Sequence, residues 1–229
     1  MSGPIFQLFS LTSGSGDVVS VIISFFAVFV IIFVVFPIHE SAHGFMAKLL
    51  GDDTAERCGR LTLNPLHHID PFGAIAMLLC NIGWAKPTPV DLRKCTKTSM
   101  RTANILVSLA GPVSNILLSL LFVIIYKVII LNVSVITSTV YYVLFAIYYT
   151  AQINVYLAVF NLIPVPPFDG YHVLSSILPP RFAAAVGSRE YIIRWVVILL
   201  IVSGVLATPL NAASNGVMWL LDKATFFLG

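Results

Sequence analysis

Apolar positions along this chain run in long stretches instead of the one-sided stripes of a soluble helix. A bilayer's hydrocarbon core of about 30 Å takes about 20 helical residues to cross. Val18–Ile38, Ile105–Leu131 and Val140–Phe160 reach that length, Ile192–Leu210 nearly does, and Ala212–Phe227 is a shorter candidate. The pattern predicts an all-α integral membrane protein, a bundle of about five transmembrane helices. Two apolar segments are too short to cross, "PFGAIAMLLCNIGW" (Pro71–Trp84) and "GYHVLSSILPP" (Gly170–Pro180). Non-helical backbone at membrane depth is tolerated only where protein buries it or water reaches it, so both are expected as re-entrant or extended pieces lining a cavity. No internal repeat or shift in composition divides the chain, and residues 1–229 are expected to form a single domain.

Composition strengthens this picture. The chain is 58% hydrophobic and only 10% charged, where soluble domains carry about 25% charged residues. The first residues lack a basic n-region and the run after them is too long for a signal-peptide core, so that run is expected to stay as a span. Cys58, Cys80 and Cys95 are odd in number and show no C-x-x-C spacing, which argues against a zinc ribbon and a disulfide framework. A net charge of +3 gives no reason to expect nucleic acid. The positions of the charges say more. Basic residues gather at Lys48/Arg57/Arg60, at Lys86/Arg93/Lys94/Lys97/Arg101 and at Arg181/Arg189/Arg194, while the N-terminal tail and Leu131–Val140 have none. The positive-inside rule puts those clusters in the cytoplasm and the N-terminus outside. Five crossings would then leave the C-terminus, with Lys223, inside.

Where the first apolar run ends, the chain reads "VVFPIHESAHGFMAKLLG" (Val34–Gly51). Positions i and i+4 share a helix face, so His39 and His43 can turn two imidazoles toward one metal ion. Glu40, beside them, is placed to act as general base on a metal-activated water. A polar patch at the membrane interface is the plainer reading, but ionisable groups there have no reason to align on one face.

A catalytic zinc takes three protein ligands and keeps one position open. Of the ten acidic residues, Asp52, Asp53, Glu56, Asp70 and Asp91 lie in charged loops, Asp17 and Asp222 at span edges and Glu190 beside Arg189, and only Glu40 and Asp169 sit in apolar company. Asp169, in "FNLIPVPPFDG", suits zinc as an oxygen ligand, or is an ordinary turn residue before Gly170. Asn115 and Asn161 are neutral amides inside apolar runs, able to donate to a developing oxyanion or a substrate backbone, or to serve as interhelical glue. His67 and His68 read as solvated loop histidines, with a supporting role at the site as the alternative, and His172 is a weaker candidate to face it. Gly111, Pro112 and Gly170 read as backbone devices that let chains approach or turn.

"HESAHG", "AGPVSN" and "NLIPVPPFDG" together resemble the site-2 protease family of intramembrane zinc metalloproteases. The resemblance covers about Val34–Ile177, with "GRLTLNPLHHIDPFG" and "GWAKPTPV" similar to the compact bacterial and archaeal branch. It implies one Zn2+ per chain held by His39, His43 and Asp169, with Glu40 catalytic. It further implies a transmembrane or membrane-anchored protein substrate and a plasma-membrane location, and the positive-inside reading puts the active site toward the cytoplasm. No room is seen for the PDZ or CBS domains of larger members. In "WAKPTPV" the prolines forbid helix, so Ala85–Val90 can offer a strand edge to a locally unwound substrate. Two rival readings remain: a membrane transporter of metal ions or peptides, and a non-proteolytic binder of membrane helices.

Overall fold

The computed structural model describes residues 4–5, 8, 18–80, 82–179, 181 and 186–226. Among these the regular structure is helical, with one isolated β-bridge and no strand. It divides into two compact units, residues 1–111 and 112–229.

The first unit is built on α1 (Val18–Leu50), a continuous helix of 33 residues. The expected span Val18–Ile38 is its front part, and the H-E-x-x-H stretch continues the same helix instead of following it. Within α1, Ile31–Val35 widens to a π-helical turn immediately before Pro37. Proline has no N–H to give and crowds the carbonyl four residues back, so the ladder shifts there, and Phe36 N–H bonds the Ile31 carbonyl. The helix stops at Gly51, whose N–H returns to the Ala47 and Lys48 carbonyls.

After it comes a polar excursion of short turns. Asp70 caps α2 (Pro71–Cys80) by accepting from Gly73 N–H at 2.8 Å, with Pro71 in the first helical position. The chain then returns extended, and an antiparallel bridge joins Ile69 to Ala85. Both ends of the Pro71–Trp84 segment therefore lie side by side, as a piece that enters and leaves on one face requires; Asn81 lies outside the described residues. Val28 and Ile32 of α1 and Met77 of α2 form the core, with Ile31, Phe36, Ile69, Ala74 and Leu78 packed around them.

α3 (Met100–Asn132) carries the chain from one unit into the next, and with α4 (Ser138–Asn161) it supplies the other two helices long and apolar enough to cross a membrane. Three shorter helices follow: α5 (Asp169–Ile177), α6 (Glu190–Val202) and α7 (Ala207–Ala224). The core of this unit is Val123 of α3, Ala151 and Val155 of α4, and Met218 and Leu221 of α7.

Two expectations change here. Among the described residues, Ile192–Leu210 and Ala212–Phe227 do not give two separate helices long and apolar enough to cross a membrane. The chain breaks after Val202 at Gly204, whose φ of 77° belongs to the left-handed region, and α6 and α7 meet at 81°. At 13 residues α6 is about 20 Å long, short of the hydrocarbon thickness. The described chain thus has three helices of spanning length, or four spans if the bent pair counts as one; Phe227 lies outside the described residues.

The second change is direction. Ser119 Oγ of α3 meets Met218 Sδ of α7 at 3.8 Å, and further along both helices Lys127 Nζ bonds the Asp222 carbonyl at 3.0 Å and the Thr225 carbonyl at 3.3 Å. Lys127 also pairs with the Asp222 carboxylate at 3.0 Å, so a cation sits at the negative end of α7. Both contacts advance in the same sense, so α3 and α7 run parallel and end together. Five alternating crossings would have made them antiparallel.

Candidate metal centre

On α1, one helical turn places His39 and His43 ring to ring, with centroids 4.7 Å apart and planes at 83°. Their Nε2 atoms stand 3.1 Å from each other. His43 Nδ1 lies 2.7 Å from the Val107 carbonyl of α3. A carbonyl only accepts, so His43 carries its proton on Nδ1 and turns the Nε2 lone pair toward His39. This is how a ligating imidazole is held by a partner behind it.

Two imidazole nitrogens this close need a proton or a cation between them. The residues fit a metal. Zn–N bonds of 2.0–2.1 Å in tetrahedral array put two nitrogens about 3.4 Å apart, close to the separation found. Space for the rings comes from Gly111: a Cβ there would lie 2.5 Å from His43 Nε2 and 2.6 Å from both Cε1 and Nε2 of His39. Gly111 is expected from the sequence to let chains approach or turn; what its bare Cα admits here is the imidazole pair.

Glu40 projects from the same turn. Its Oε2 accepts the Thr88 N–H at 2.7 Å, which ties the acid to the extended Ala85–Val90 segment. The loop before that segment is also anchored: the Thr62 carbonyl lies 2.6 Å from Ser41 Oγ of α1 and 2.7 Å from His68 Nε2.

Three residues of this polar excursion differ from their sequence reading. His68 is not a solvated loop histidine; it is 0% exposed. Burial, with Arg60 nearby, pushes its pKa down against the opposing pull of the Thr62 carbonyl and Glu40. His67 is exposed, as expected. Asp52 does not lie free in a charged loop but is fully buried, accepting from Thr54 N–H at 2.9 Å, from the Thr54 hydroxyl and from Asp91 N–H at 2.6 Å. Burial works against its charge, yet those hydrogen bonds and Lys94 prevail and hold the carboxyl below its ordinary range. Arg60, counted among the basic residues of the cytoplasmic face, is only 8% exposed.

In the second unit Asp169 is the first residue of α5 and half-buried. Pro164, Pro166 and Pro167 stop α4 from continuing, and Phe160 and Phe168 meet edge to face, centroids 4.6 Å apart, to close the loop that presents it. Gly170 makes the tight return, since a Cβ there would lie 2.3 Å from the Leu162 carbonyl. Asn115 on α3 is 0% exposed, and neither amide atom has a partner among the described residues. Asn161 is half-buried and gives its Nδ2 to the Leu157 carbonyl at 3.0 Å. His172 is exposed on α5. Asn154, which carries no motif, is fully buried on α4 and donates to the Thr150 carbonyl at 2.9 Å. Its only signal in sequence is an amide inside an apolar run.

The model of peptidase family M50 matches residues 25–203. YwhC of Bacillus subtilis (strain 168) is 39% identical over 194 residues, which cover 82% of this chain and 87% of that protein. Rip2 of Mycobacterium tuberculosis (strain ATCC 25618 / H37Rv) is 28% identical over 190 residues, 81% of this chain and 69% of that protein. Rip2 of Mycolicibacterium smegmatis is 29% identical over 168 residues, 72% of this chain and 62% of that protein. All three are assigned by name as zinc metalloproteases. No solved structure matches the chain significantly.

Proposed function

Since the chain belongs to peptidase family M50 and is a multi-pass zinc metalloprotease, we propose that it hydrolyses peptide bonds within or beside the transmembrane segment of membrane-anchored proteins. His39, His43 and Asp169 are the residues that would hold the zinc ion, with Glu40 as general base. The observation that carries this reading is the pair of Nε2 atoms 3.1 Å apart over the bare Cα of Gly111, with a carboxylate one residue from the first. When bound, zinc supplies a Lewis acid that polarises a carbonyl and makes water acidic enough to lose its proton near neutral pH.

The protein's own groups do the rest. Val107 holds the His43 tautomer. Glu40 takes the proton of the attacking water and passes it to the leaving amine, the role of a positioned general base and acid. Asn115, buried with its amide uncommitted among the described residues, is of the two amides the one with both donors to give to a tetrahedral oxyanion. Asn161 spends a donor on its own helix and keeps its carbonyl oxygen for a substrate backbone. A site on a span-length apolar helix favours substrates that reach it through lipid. Such a substrate satisfies its own backbone bonds until it unwinds, so Gly, Pro or Asn near the cut will favour cleavage. The exposed basic residues Lys48, Arg57 and Lys94 favour a cytoplasmic position for this end of α1 and an external N-terminus, in the plasma membrane.

Elemental analysis of purified protein tests the site directly. About one zinc per chain is expected, retained in Glu40→Gln and lost or much weakened in Asp169→Ala. Glu40→Gln is expected to abolish cleavage of a membrane-anchored reporter. Zinc content indifferent to Asp169 would remove it from the site, and an active Glu40→Gln would remove the general-base role.

A further inference from the structure

The Ala85–Val90 segment has only two interior amide hydrogens after Ala85 and before Val90, because Pro87 and Pro89 have none. Both are spent on the protein. Lys86 N–H donates to the His68 carbonyl at 2.8 Å, and Thr88 N–H donates to Glu40 Oε2 at 2.7 Å. The carbonyls are held as well. Arg60 Nη2 donates to the Lys86 carbonyl at 2.5 Å and to the Pro87 carbonyl at 3.2 Å. Arg60 is nearly buried, and no carboxylate pairs with it among the described residues. A buried guanidinium is costly to keep unless it is paired, and here one nitrogen, Nη2, takes two successive backbone carbonyls in place of a carboxylate; a lysine ammonium differs from it in shape and reach. On the other side, α1 is bare where the segment touches it: a Cβ on Gly44 would lie 3.1 Å from Thr88 Cγ2 and 3.0 Å from Ala55 Cβ.

We propose that Arg60 is a positioning residue of the peptidase, clamping the Ala85–Val90 segment so that the Thr88 N–H holds Glu40 in its working rotamer. The proposal rests on Glu40 acting as base. Engaging Oε2 leaves Oε1 to receive the proton, and it fixes a side chain with several free torsions. A base misplaced by about 1 Å costs on the order of a hundredfold in rate. Substrate binding along the same segment would be a separate property, visible in KM.

The test combines amide hydrogen exchange with kinetics. A peptide covering Lys86–Pro89 reports two amides, Lys86 and Thr88. Arg60→Ala is expected to speed exchange at both by roughly tenfold or more, whereas Glu40→Ala is expected to speed Thr88 alone. On a membrane-anchored reporter cleaved by the wild type, Arg60→Ala is expected to lower kcat by roughly a hundredfold, with KM and zinc content little changed and Arg60→Lys intermediate. Unchanged exchange overturns the clamp. Faster exchange with unchanged kcat overturns the positioning role, and so does loss of zinc together with kcat, which would mark a general structural effect. If Arg60→Ala does not accumulate, Thr88→Pro removes the single donor while leaving Arg60 in place, and it must show the same kcat loss with zinc retained. An active Glu40→Gln would sink the general-base reading instead, and the exchange result would still report on the clamp.

Discussion

Gly111→Ala adds one methyl group at the point where the imidazoles meet. In a helix interior this exchange normally stabilises by about 1 kcal/mol, because glycine gives up more backbone freedom on folding. Here the methyl would sit 2.5 Å from His43 Nε2 and 2.6 Å from two atoms of His39, where carbon and nitrogen pack at about 3.5 Å. The rings must therefore give way by about 1 Å. His43 cannot swing freely while its Nδ1 is tied to Val107 at 2.7 Å. Metal–ligand bonds tolerate about 0.2 Å of error, and disturbing even the partners behind a ligand costs about 10- to 100-fold in metal affinity. The clash offsets the helix gain, so the variant is expected to be no more stable than the wild type without metal, and to bind zinc at least about tenfold more weakly. Competition with a chromophoric chelator measures the affinity, and thermal melts with and without zinc separate folding from binding. A metal-free melting temperature at or modestly below the wild type, with the zinc-dependent rise diminished, is the expected pair. Wild-type zinc affinity in Gly111→Ala would refute the placement of the imidazole pair over residue 111.

Other consequences concern the polar excursion and the second unit. His68 has a lowered pKa in the fold, so the unfolded chain binds its proton first, and stability is expected to fall as pH drops below the ordinary histidine value of 6.5. Denaturant titrations from pH 7.5 to 5 read this slope, which His68→Gln should flatten; a slope that persists would assign it elsewhere. Asp52 acts in a lower window. Its depressed carboxyl contributes fully above the ordinary value of 3.8 and loses that contribution as pH falls further. At neutral pH, Asp52→Ala is expected to cost about 2–4 kcal/mol by leaving the Asp91 and Thr54 donors unmatched, and a loss below about 0.5 kcal/mol would contradict that bonding. For topology, single cysteines at Ser134 and Phe226, in a chain with Cys58, Cys80 and Cys95 changed to serine, are expected to label from the same side of the membrane. Labelling from opposite sides would restore antiparallel α3 and α7.

What the sequence by itself determined is what local spacing and composition control. Uninterrupted apolar runs require helices in lipid, and His39, Glu40 and His43 share a turn because a helix repeats every 3.6 residues. Asp169 stood out because a carboxylate in apolar company is expensive, and Gly111 could be read as a place of close approach, though not of what. The tertiary structure decided which polar groups find partners far along the chain. Arg60, His68 and Asp52 look like surface charges by position, and each is buried because its hydrogen-bond partners arrive from 2 to 39 residues away. Thr88 lies in a stretch whose prolines could be read as forbidding helix, but nothing in that spacing says that its N–H meets Glu40 across 48 residues. The direction of α7 depended on a left-handed glycine and on Lys127 reaching a helix end 95 residues later. Hydropathy registers that a segment is apolar and long; whether it crosses, and which way it runs, is settled by the break in its backbone and by the helix it packs against.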